Sequence, residues 1–386
     1  MFESIVVYGL LTIVMVLCGI VAAQREHLYY HRWTNCNNYN YKLSFLHWET
    51  IFPLIVFAFI FGCRYNVGVD YPAYLKMYIW GGDREMEPLF LWVTDSMSDL
   101  NIHYACYFGL WAFIQVFLLF YTLRHQRFLF PFMAFFLIFG SYYLSMMNII
   151  RQQVAACIFL YSIQYIDNKK FVKYFLCIFF ASLFHKSAWL VIILYPLFQW
   201  RKDWFPNIKI QIIFYLIALY LSFNYDFVIN LISGIFSDFA RLFGYDVYLI
   251  GILRNEQLNS MAQFGNNTGY GFYINVFISV IIILFSNRLK NYYKNNFFLM
   301  IYSMWFIRIL ADFVIGDSII LNRPFVYFTN IKIIMLAYFI YYCVNSKRVI
   351  PQLLIVGFIL IHVALFVNML SNGEINTSMY RFFWEQ

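Results

Sequence analysis

The sequence predicts an all-α polytopic membrane protein with about 12 transmembrane helices of about 20 residues each. Hydrophobic residues make up 63% of the 386 residues and charged residues only 12%, whereas about a quarter of a soluble globular protein is charged. The apolar residues form continuous blocks near bilayer length, not the short alternating runs of a transmembrane barrel. Because backbone polar groups in the hydrocarbon layer must be satisfied within their own segment, these blocks are predicted to be helices.

The apolar blocks place the predicted spans along the chain. They lie at about residues 4–23, 44–62, 103–123, 128–146, 148–166, 171–185, 187–200, 210–225, 271–286, 297–315, 322–343 and 349–370. The sixth and seventh spans are short and meet at residues 184–187, which indicates a helical hairpin with a tight turn. Two long segments, about 63–102 and 226–270, carry aromatic residues at helical spacing and are predicted to form surface or re-entrant helices. Because the sequence shows no internal repeat or linker, residues 1–386 are predicted to form a single integral membrane domain.

The distribution of basic residues predicts the orientation. More than half of the 27 lysines and arginines fall in alternate connections, beginning with the one after the first span, and few acidic residues accompany them. The first of the other connections is acidic, with Asp70, Asp83, Glu85, Glu87, Asp95 and Asp99. Because lysine and arginine collect on the cytoplasmic side, both termini are predicted to be extracytoplasmic. The same bias explains the net charge of +8, so the charge does not indicate a nucleic-acid partner.

Some basic residues at the outward ends of spans are not explained by this bias. A single arginine at a helix end can extend its charged group to the lipid headgroups. Several that converge from separate spans form the kind of cluster that binds phosphate, because the guanidinium fork matches phosphate oxygens two at a time. The sequence therefore predicts a diphosphate site made by Arg64, Arg151, Lys186 and Arg323.

The fifth predicted span opens with a polar face. Asn148, Arg151, Gln152 and Ala155 stand at i, i+3, i+4 and i+7, so a continuous helix would place them on one side. Such a face is costly in a membrane unless it borders a cavity or a partner helix. Helix packing through Asn and Gln hydrogen bonds is the structural alternative.

Two titratable residues are candidate bases. Asp70 lies beside Tyr71 and close to Tyr74, so it is either a helix cap or a carboxylate whose pKa is raised by apolar neighbours. His185 lies at the turn between the sixth and seventh spans and is either an ordinary helix-end residue or a catalyst.

The tenth span carries charges whose spacing predicts a structural ion pair, because Arg308 and Asp312 are separated by one helical turn. The chain has no P-loop or GxSxG elbow, and its seven cysteines form no CxxC pair. No metal site and no cofactor are therefore predicted.

At these segments the sequence resembles the EpsG / Wzy-like family of bacterial polysaccharide polymerases. The resemblance rests on Arg64-Tyr-Asn-Val-Gly68-Val-Asp70-Tyr71-Pro-Ala-Tyr74, on Met147-Asn148-Ile-Ile-Arg151-Gln152-x-x-Ala155, on Phe184-His185-Lys186-Ser187-Ala188, and more loosely on a motif around Arg323. The sequence departs from the family at Val69, where relatives more often carry threonine.

The resemblance implies a membrane glycosyltransferase of the GT-C type in the bacterial inner (cytoplasmic) membrane. Such an O-antigen or polysaccharide polymerase transfers glycan from one undecaprenyl diphosphate-linked oligosaccharide to the non-reducing end of another, at the extracytoplasmic face. A chain-length regulator and a flippase are implied partners in the same membrane. The cationic cluster would then stabilise the departing diphosphate, with Arg151 catalytic and Asp70 or His185 as the base. Asn148, Gln152, Tyr71 and Tyr74 would support the site.

Alternatives to a polymerase stay open at this point. A flippase or exporter of the same lipid-linked sugar needs ionisable residues near the bilayer midplane, for which Glu49 and Lys332 are the candidates, and typically two repeated halves, which the sequence lacks. An O-antigen ligase-type transferase differs only in the family motifs. A membrane O-acyltransferase usually has an arginine and histidine set that is absent here. The sequence thus favours an enzyme over a transporter.

Overall fold

The computed structural model describes residues 1–34, 43–81, 86–224, 270–315, 322–372 and 379–385. In chain order the α-helices are α1 (Phe2–Thr34), α2 (Trp48–Gly62), α3 (Tyr71–Trp80), α4 (Pro88–Asp99), α5 (Tyr104–Thr122), α6 (Phe130–Phe139), α7 (Tyr143–Asn148), α8 (Ile150–Asp167), α9 (Phe171–Ser182), α10 (Leu194–Trp200), α11 (Ile208–Ser222), α12 (Tyr270–Leu284), α13 (Ser286–Tyr293), α14 (Asn296–Ile315), α15 (Thr329–Val344) and α16 (Val349–Asn372). Shorter 3₁₀ helices cover Arg127–Leu129, Lys186–Ile193, Arg323–Phe328 and Phe383–Glu385. Within these residues there is no β-strand, only an isolated bridge between Arg64 and Phe382, so the all-α class is confirmed.

Among the residues that the structure describes, five helices are long and apolar enough to cross a membrane: Phe2–Tyr29, Tyr104–Thr122, Asn296–Ile315, Arg323–Val344 and Val349–Asn372. A sixth is gained if α12 and α13, which meet at 55°, form one bent span. Four apolar segments are shorter: Trp48–Gly62, Arg127–Phe139, Phe171–Ser182 and Ile208–Ser222. Helices occupy each of the twelve predicted blocks. The count of 12 transmembrane spans nevertheless stays a prediction, because several of these helices are shorter than a bilayer requires.

By its internal contacts the chain divides into two compact units, residues 1–201 with 327–386 and residues 202–326. The single integral membrane domain over 1–386 stays a prediction. In the predicted external segment 63–102, α3 and α4 are indeed helical and have 10 and 12 residues. The other predicted external segment, 226–270, lies outside the described residues except for Tyr270, where α12 begins.

The first unit contains a close helix crossing between α2 and α5. A Cβ atom added to Gly62 would lie 2.5 Å from the Ala105 carbonyl oxygen and 2.9 Å from the Gly109 Cα atom. Helices in membranes associate through such small residues because their backbones can then approach closely. The crossing fixes the end of α2, where the segment that carries Asp70 begins.

The C-terminal segment lies against the same end of α2. The Tyr380 hydroxyl donates to the Ile60 carbonyl oxygen over 2.6 Å, and the Tyr65 N–H donates to the Arg381 carbonyl oxygen over 2.8 Å. The Phe383 N–H donates to the Cys63 carbonyl oxygen over 2.9 Å. These hydrogen bonds hold residues 63–65 in place.

At the other end of α2, a buried carboxylate is paired with arginines. Glu49 Oε1 lies 3.0 Å from Arg25 Nη1 and 4.0 Å from Arg127 Nη1. The Arg127 N–H also donates to Glu26 Oε2 over 2.7 Å. Glu49 therefore has local ionic partners that explain its burial, and the transporter alternative gains no support from it.

The second unit, residues 202–326, holds the ion pair expected in the tenth span. Arg308 Nη2 lies 2.9 Å from Asp312 Oδ1, and Arg308 Nη1 donates to Asn322 Oδ1 over 2.6 Å. Lys290 Nζ contacts both carboxylate oxygens of Asp203 at 2.9 Å. These contacts lie within one unit and give its charged side chains structural partners.

Candidate functional site

A buried carboxylate, Glu87, lies at the centre of a polar cluster in the first unit. Glu87 is 5% exposed and stands immediately before Pro88, the first residue of α4. Because a residue before proline is restricted to extended backbone, Glu87 has φ −66° and ψ 140°. Its side chain does not cap its own helix and contacts other elements instead.

Three donors from two other elements approach the Glu87 carboxylate. His185 Nδ1 lies 3.0 Å from Oε1, and the Lys186 backbone N–H donates to the same oxygen over 3.2 Å. Arg151 Nη1 forms an ion pair with Oε2. Arg151 lies in the first turn of α8, whereas His185 and Lys186 follow α9. The carboxylate therefore joins three segments that are distant in sequence.

The contacts of Glu87 decide its protonation. Burial by itself raises the pKa of a carboxyl group, but the hydrogen bond from His185 and the positive charge of Arg151 outweigh it and lower the Glu87 pKa to about 2, from an ordinary 4.5. The carboxylate is therefore ionised at every physiological pH.

Replacing Glu87 by glutamine is expected to lower thermal stability in a pH-dependent way. The folded-state pKa lies below the ordinary value, so the ionised carboxylate stabilises the fold above about pH 4.5 and loses this contribution as the pH falls towards 2. At pH 7, Glu87→Gln should melt in detergent roughly 2 °C or more below the parent protein. The difference should shrink below pH 4.5, because protonated glutamate and glutamine are alike in shape and charge. A melting difference that does not change with pH would contradict this assignment.

Arg151 retains donors for a further ligand. Its side chain is 25% exposed, and its guanidinium lies 5.8 Å from the centre of the Phe90 ring and hydrogen-bonds the Tyr74 hydroxyl. A guanidinium has five N–H donors, which is more than its contacts with Glu87 and Tyr74 engage. The ion pair with Glu87 thus orients Arg151 without using up its donors.

Asp70 and Tyr74 are electrostatic neighbours of Arg151. Asp70 is half-buried before α3, and its side chain makes no capping hydrogen bond. Burial raises its pKa, and the charge of Arg151 partly opposes this rise. Tyr74 is buried one turn into α3, and burial raises the pKa of its hydroxyl too. The structure therefore groups the predicted residues Asp70, Arg151 and Tyr74, as well as His185, around Glu87.

Asn148 lies beneath the loop that leads to Asp70. Gly68 has φ +105°, and a Cβ atom there would lie 2.8 Å from Asn148 Oδ1. Only glycine fits both this backbone conformation and this contact. Asn148 therefore helps to fix the position of the loop.

The prediction that Asn148 shares the face of one continuous helix with Arg151 is wrong. It ends α7, Ile149 departs from helical backbone with ψ 52°, and α8 begins at Ile150. The Met147 carbonyl oxygen, which a continuous helix would pair with the residue-151 N–H, accepts a hydrogen bond from Arg64 Nη2 over 3.2 Å. Gln152 lies in α8 with Arg151 but is buried.

A comparison with protein families finds that the model of the EpsG family matches residues 48–383, which include every segment of this cluster. The chain belongs to the EpsG family. This is a family of Wzy-like polymerases, and membership together with the apolar helices makes the chain a multi-pass membrane protein of polysaccharide biosynthesis. Comparisons with curated proteins and with solved structures find no match to the chain.

Arg64, in the first of the EpsG-family segments, does not extend towards solvent. It is 2% exposed, and its two terminal nitrogens donate over 3.2 Å to the carbonyl oxygens of Phe61 and Met147, in the last turns of α2 and α7. Its guanidinium also lies 5.0 Å from the centre of the Phe108 ring. The negative ends of two helix dipoles stabilise this cation. Arg64 thus has a structural explanation that needs no bound diphosphate.

The other predicted residues lie in different surroundings. Lys186 is exposed, and its backbone N–H contacts Glu87. Tyr71 is buried, with its ring stacked on that of Phe108 at 4.7 Å. Arg323 begins a 3₁₀ helix and belongs to the second unit, so its convergence with Arg151 stays a prediction.

Sequence reasoning missed Glu87 as a site residue. It was one of six acidic residues in the segment 63–102. A glutamate before a proline is an ordinary beginning for a helix, so the local pattern carries no functional signal.

Proposed function

We propose that this protein is a repeat-unit polymerase of the bacterial inner membrane. It transfers the growing glycan from one undecaprenyl diphosphate-linked oligosaccharide to the non-reducing end of another at the extracytoplasmic face. The observation that carries this proposal is the cluster of Arg151, His185 and Glu87, within a chain of the EpsG family. A twelve-span GT-C-like architecture with both termini extracytoplasmic is part of the same proposal.

The cluster suits the departure of a lipid diphosphate. When the bond between the anomeric carbon and the phosphate oxygen breaks, negative charge develops on the diphosphate. Arg151 is held by Glu87 and is partly exposed, and the exposed Lys186, whose backbone N–H contacts the same carboxylate, offers a second cation. A preorganised donor of this kind stabilises a transition state by about 3–4 kcal/mol. Arginine and lysine thus supply the charge stabilisation for the leaving group.

The same cluster offers two groups that can accept the proton of the acceptor hydroxyl. His185 is held by Glu87, and Asp70 has a raised pKa. An imidazole and a carboxylate are both side chains that serve as general bases in enzymes. The buried rings of Tyr74 and Phe90, 5.9 Å apart, pack beside Arg151 and help to hold its guanidinium.

Deleting the gene tests the function directly. Surface polysaccharide from the deletion strain should collapse from a ladder of chain lengths to single repeat units, and the intact gene should restore the ladder. Gel separation of the extracted polysaccharide measures this. Long chains in the deletion strain would contradict the polymerase assignment.

The alternatives predict different products in the same strain. Loss of a flippase would leave lipid-linked repeat units on the cytoplasmic side and no single units at the surface. Loss of a ligase-type transferase would leave long chains still attached to undecaprenyl diphosphate. A chain-length regulator and a flippase are proposed partners, because the polymerase needs its substrate delivered and its product limited.

A further inference from the structure

We propose that Glu87 is a positioning residue that makes His185 the general base for the acceptor hydroxyl. This inference rests on the proposed function and assigns the base, which the function leaves open between His185 and Asp70. Two steps lead to it: the contact between carboxylate and imidazole, and the fixation of that carboxylate by other elements.

The first step concerns the imidazole tautomer. Glu87 Oε1 lies 3.0 Å from His185 Nδ1, and an ionised carboxylate can only accept a hydrogen bond. Nδ1 therefore carries the proton, and in the neutral ring Nε2 has a free lone pair. A carboxylate that binds one ring nitrogen in this way orients the ring and fixes which nitrogen carries the proton.

The second step concerns rigidity. The Glu87 carboxylate is fixed by the Lys186 backbone N–H at Oε1 and by Arg151 at Oε2. The backbone itself is tied across the two segments, because the Leu89 N–H donates to the Leu183 carbonyl oxygen over 3.2 Å. The carboxylate is therefore held by contacts that do not depend on the imidazole.

Asp70 differs from His185 in its neighbours. Burial raises the pKa of Asp70, but the charge of Arg151 opposes this rise, whereas the ring of His185 contacts a carboxylate. Arg151 bonds to the same carboxylate, so one residue orients both the base and the cation that faces the leaving group.

In the resulting reaction, the acceptor oxygen forms a bond with the anomeric carbon as its proton passes to His185 Nε2. The bond from that carbon to the phosphate oxygen breaks, and its electron pair leaves with the lipid diphosphate beside Arg151. The imidazolium then releases its proton to water, so that protons, electrons and atoms balance.

Turnover of the purified full-length chain in lipid vesicles provides the first test, with lipid diphosphate-linked repeat units as substrate. Glu87→Gln should lower kcat about 10- to 100-fold with little change in KM. The double variant Glu87→Gln/His185→Gln should be no slower than His185→Gln alone, because a positioning residue acts only through its base. Asp95→Asn, which removes the same charge from an exposed position of α4, should turn over like the parent.

The imidazole tautomer provides a second test that needs no folded Glu87 variant. In the parent protein labelled with ¹⁵N-histidine, the resonance missing from His185→Gln should show the proton on Nδ1. A proton on Nε2 would overturn the inference. So would an unchanged kcat for Glu87→Gln, or additive losses in the double variant, provided the parent polymerises. A parent that joins no repeat units would overturn the proposed function and leave this base without a substrate.

Discussion

Replacing Arg151 by alanine is expected to lower the rate of polymerisation by at least about 100-fold. Arg151 is the cation of the cluster that combines a fixed orientation, through Glu87, with a partly exposed guanidinium. Removing it deprives the departing diphosphate of its charge stabilisation and leaves the buried Glu87 carboxylate without its arginine partner. The measurement is the chain-length distribution in a complemented deletion strain, together with turnover of the purified variant.

Two further substitutions separate chemistry from folding. Arg151→Lys keeps a charge for Glu87 but loses the planar fork that binds two phosphate oxygens, so it should accumulate like the parent and still lose most of its activity. Arg348→Ala removes the same charge from an exposed position between α15 and α16 and should polymerise normally. Full-length polysaccharide from Arg151→Ala would remove this residue from the site.

Replacing Gly62 by valine is expected to prevent the chain from reaching its folded state. The added Cβ atom would meet the Ala105 carbonyl oxygen at 2.5 Å and the Gly109 backbone at 2.9 Å. Backbone atoms of a second helix cannot move aside as a flexible side chain can, so overpacking here should cost more than about 3 kcal/mol. Yield and melting temperature of the variant in detergent, after size-exclusion chromatography, measure the effect.

Gly357 provides the matched control in α16. A Cβ atom built there has no described atom within 4 Å, so Gly357→Val changes the same residue type inside a helix without a clash. It should yield monodisperse protein that melts near the parent temperature. A Gly62→Val protein that behaves the same way would show that α2 and α5 do not depend on their close crossing.

The positions of the helices could be predicted from the sequence because long apolar blocks have few structural solutions in a membrane. The break at Ile149 could not, because it coincides with a hydrogen bond to Met147 from Arg64, 83 residues away. Taken alone, the neighbouring residues predict one uninterrupted helix with a polar face.

The candidate site could be predicted from the sequence only in part. Arg151, His185 and Asp70 were identified from the types of residue present in the family-like segments, and the structure groups them. Glu87 was missed because its role depends on partners 64 and 98 residues away in the chain. Arg64 was read as a ligand because a count of outward basic residues cannot distinguish a surface cation from one that caps two helix ends.

The contacts of the C-terminal segment imply an order of events during biosynthesis. The Tyr380 hydroxyl hydrogen-bonds the Ile60 carbonyl oxygen, 320 residues earlier in the chain, and the Tyr65 N–H donates to the carbonyl oxygen of Arg381. The stretch that leads into Asp70 emerges from the ribosome long before these partners exist. Prematurely terminated chains therefore lack the hydrogen bonds that secure this stretch.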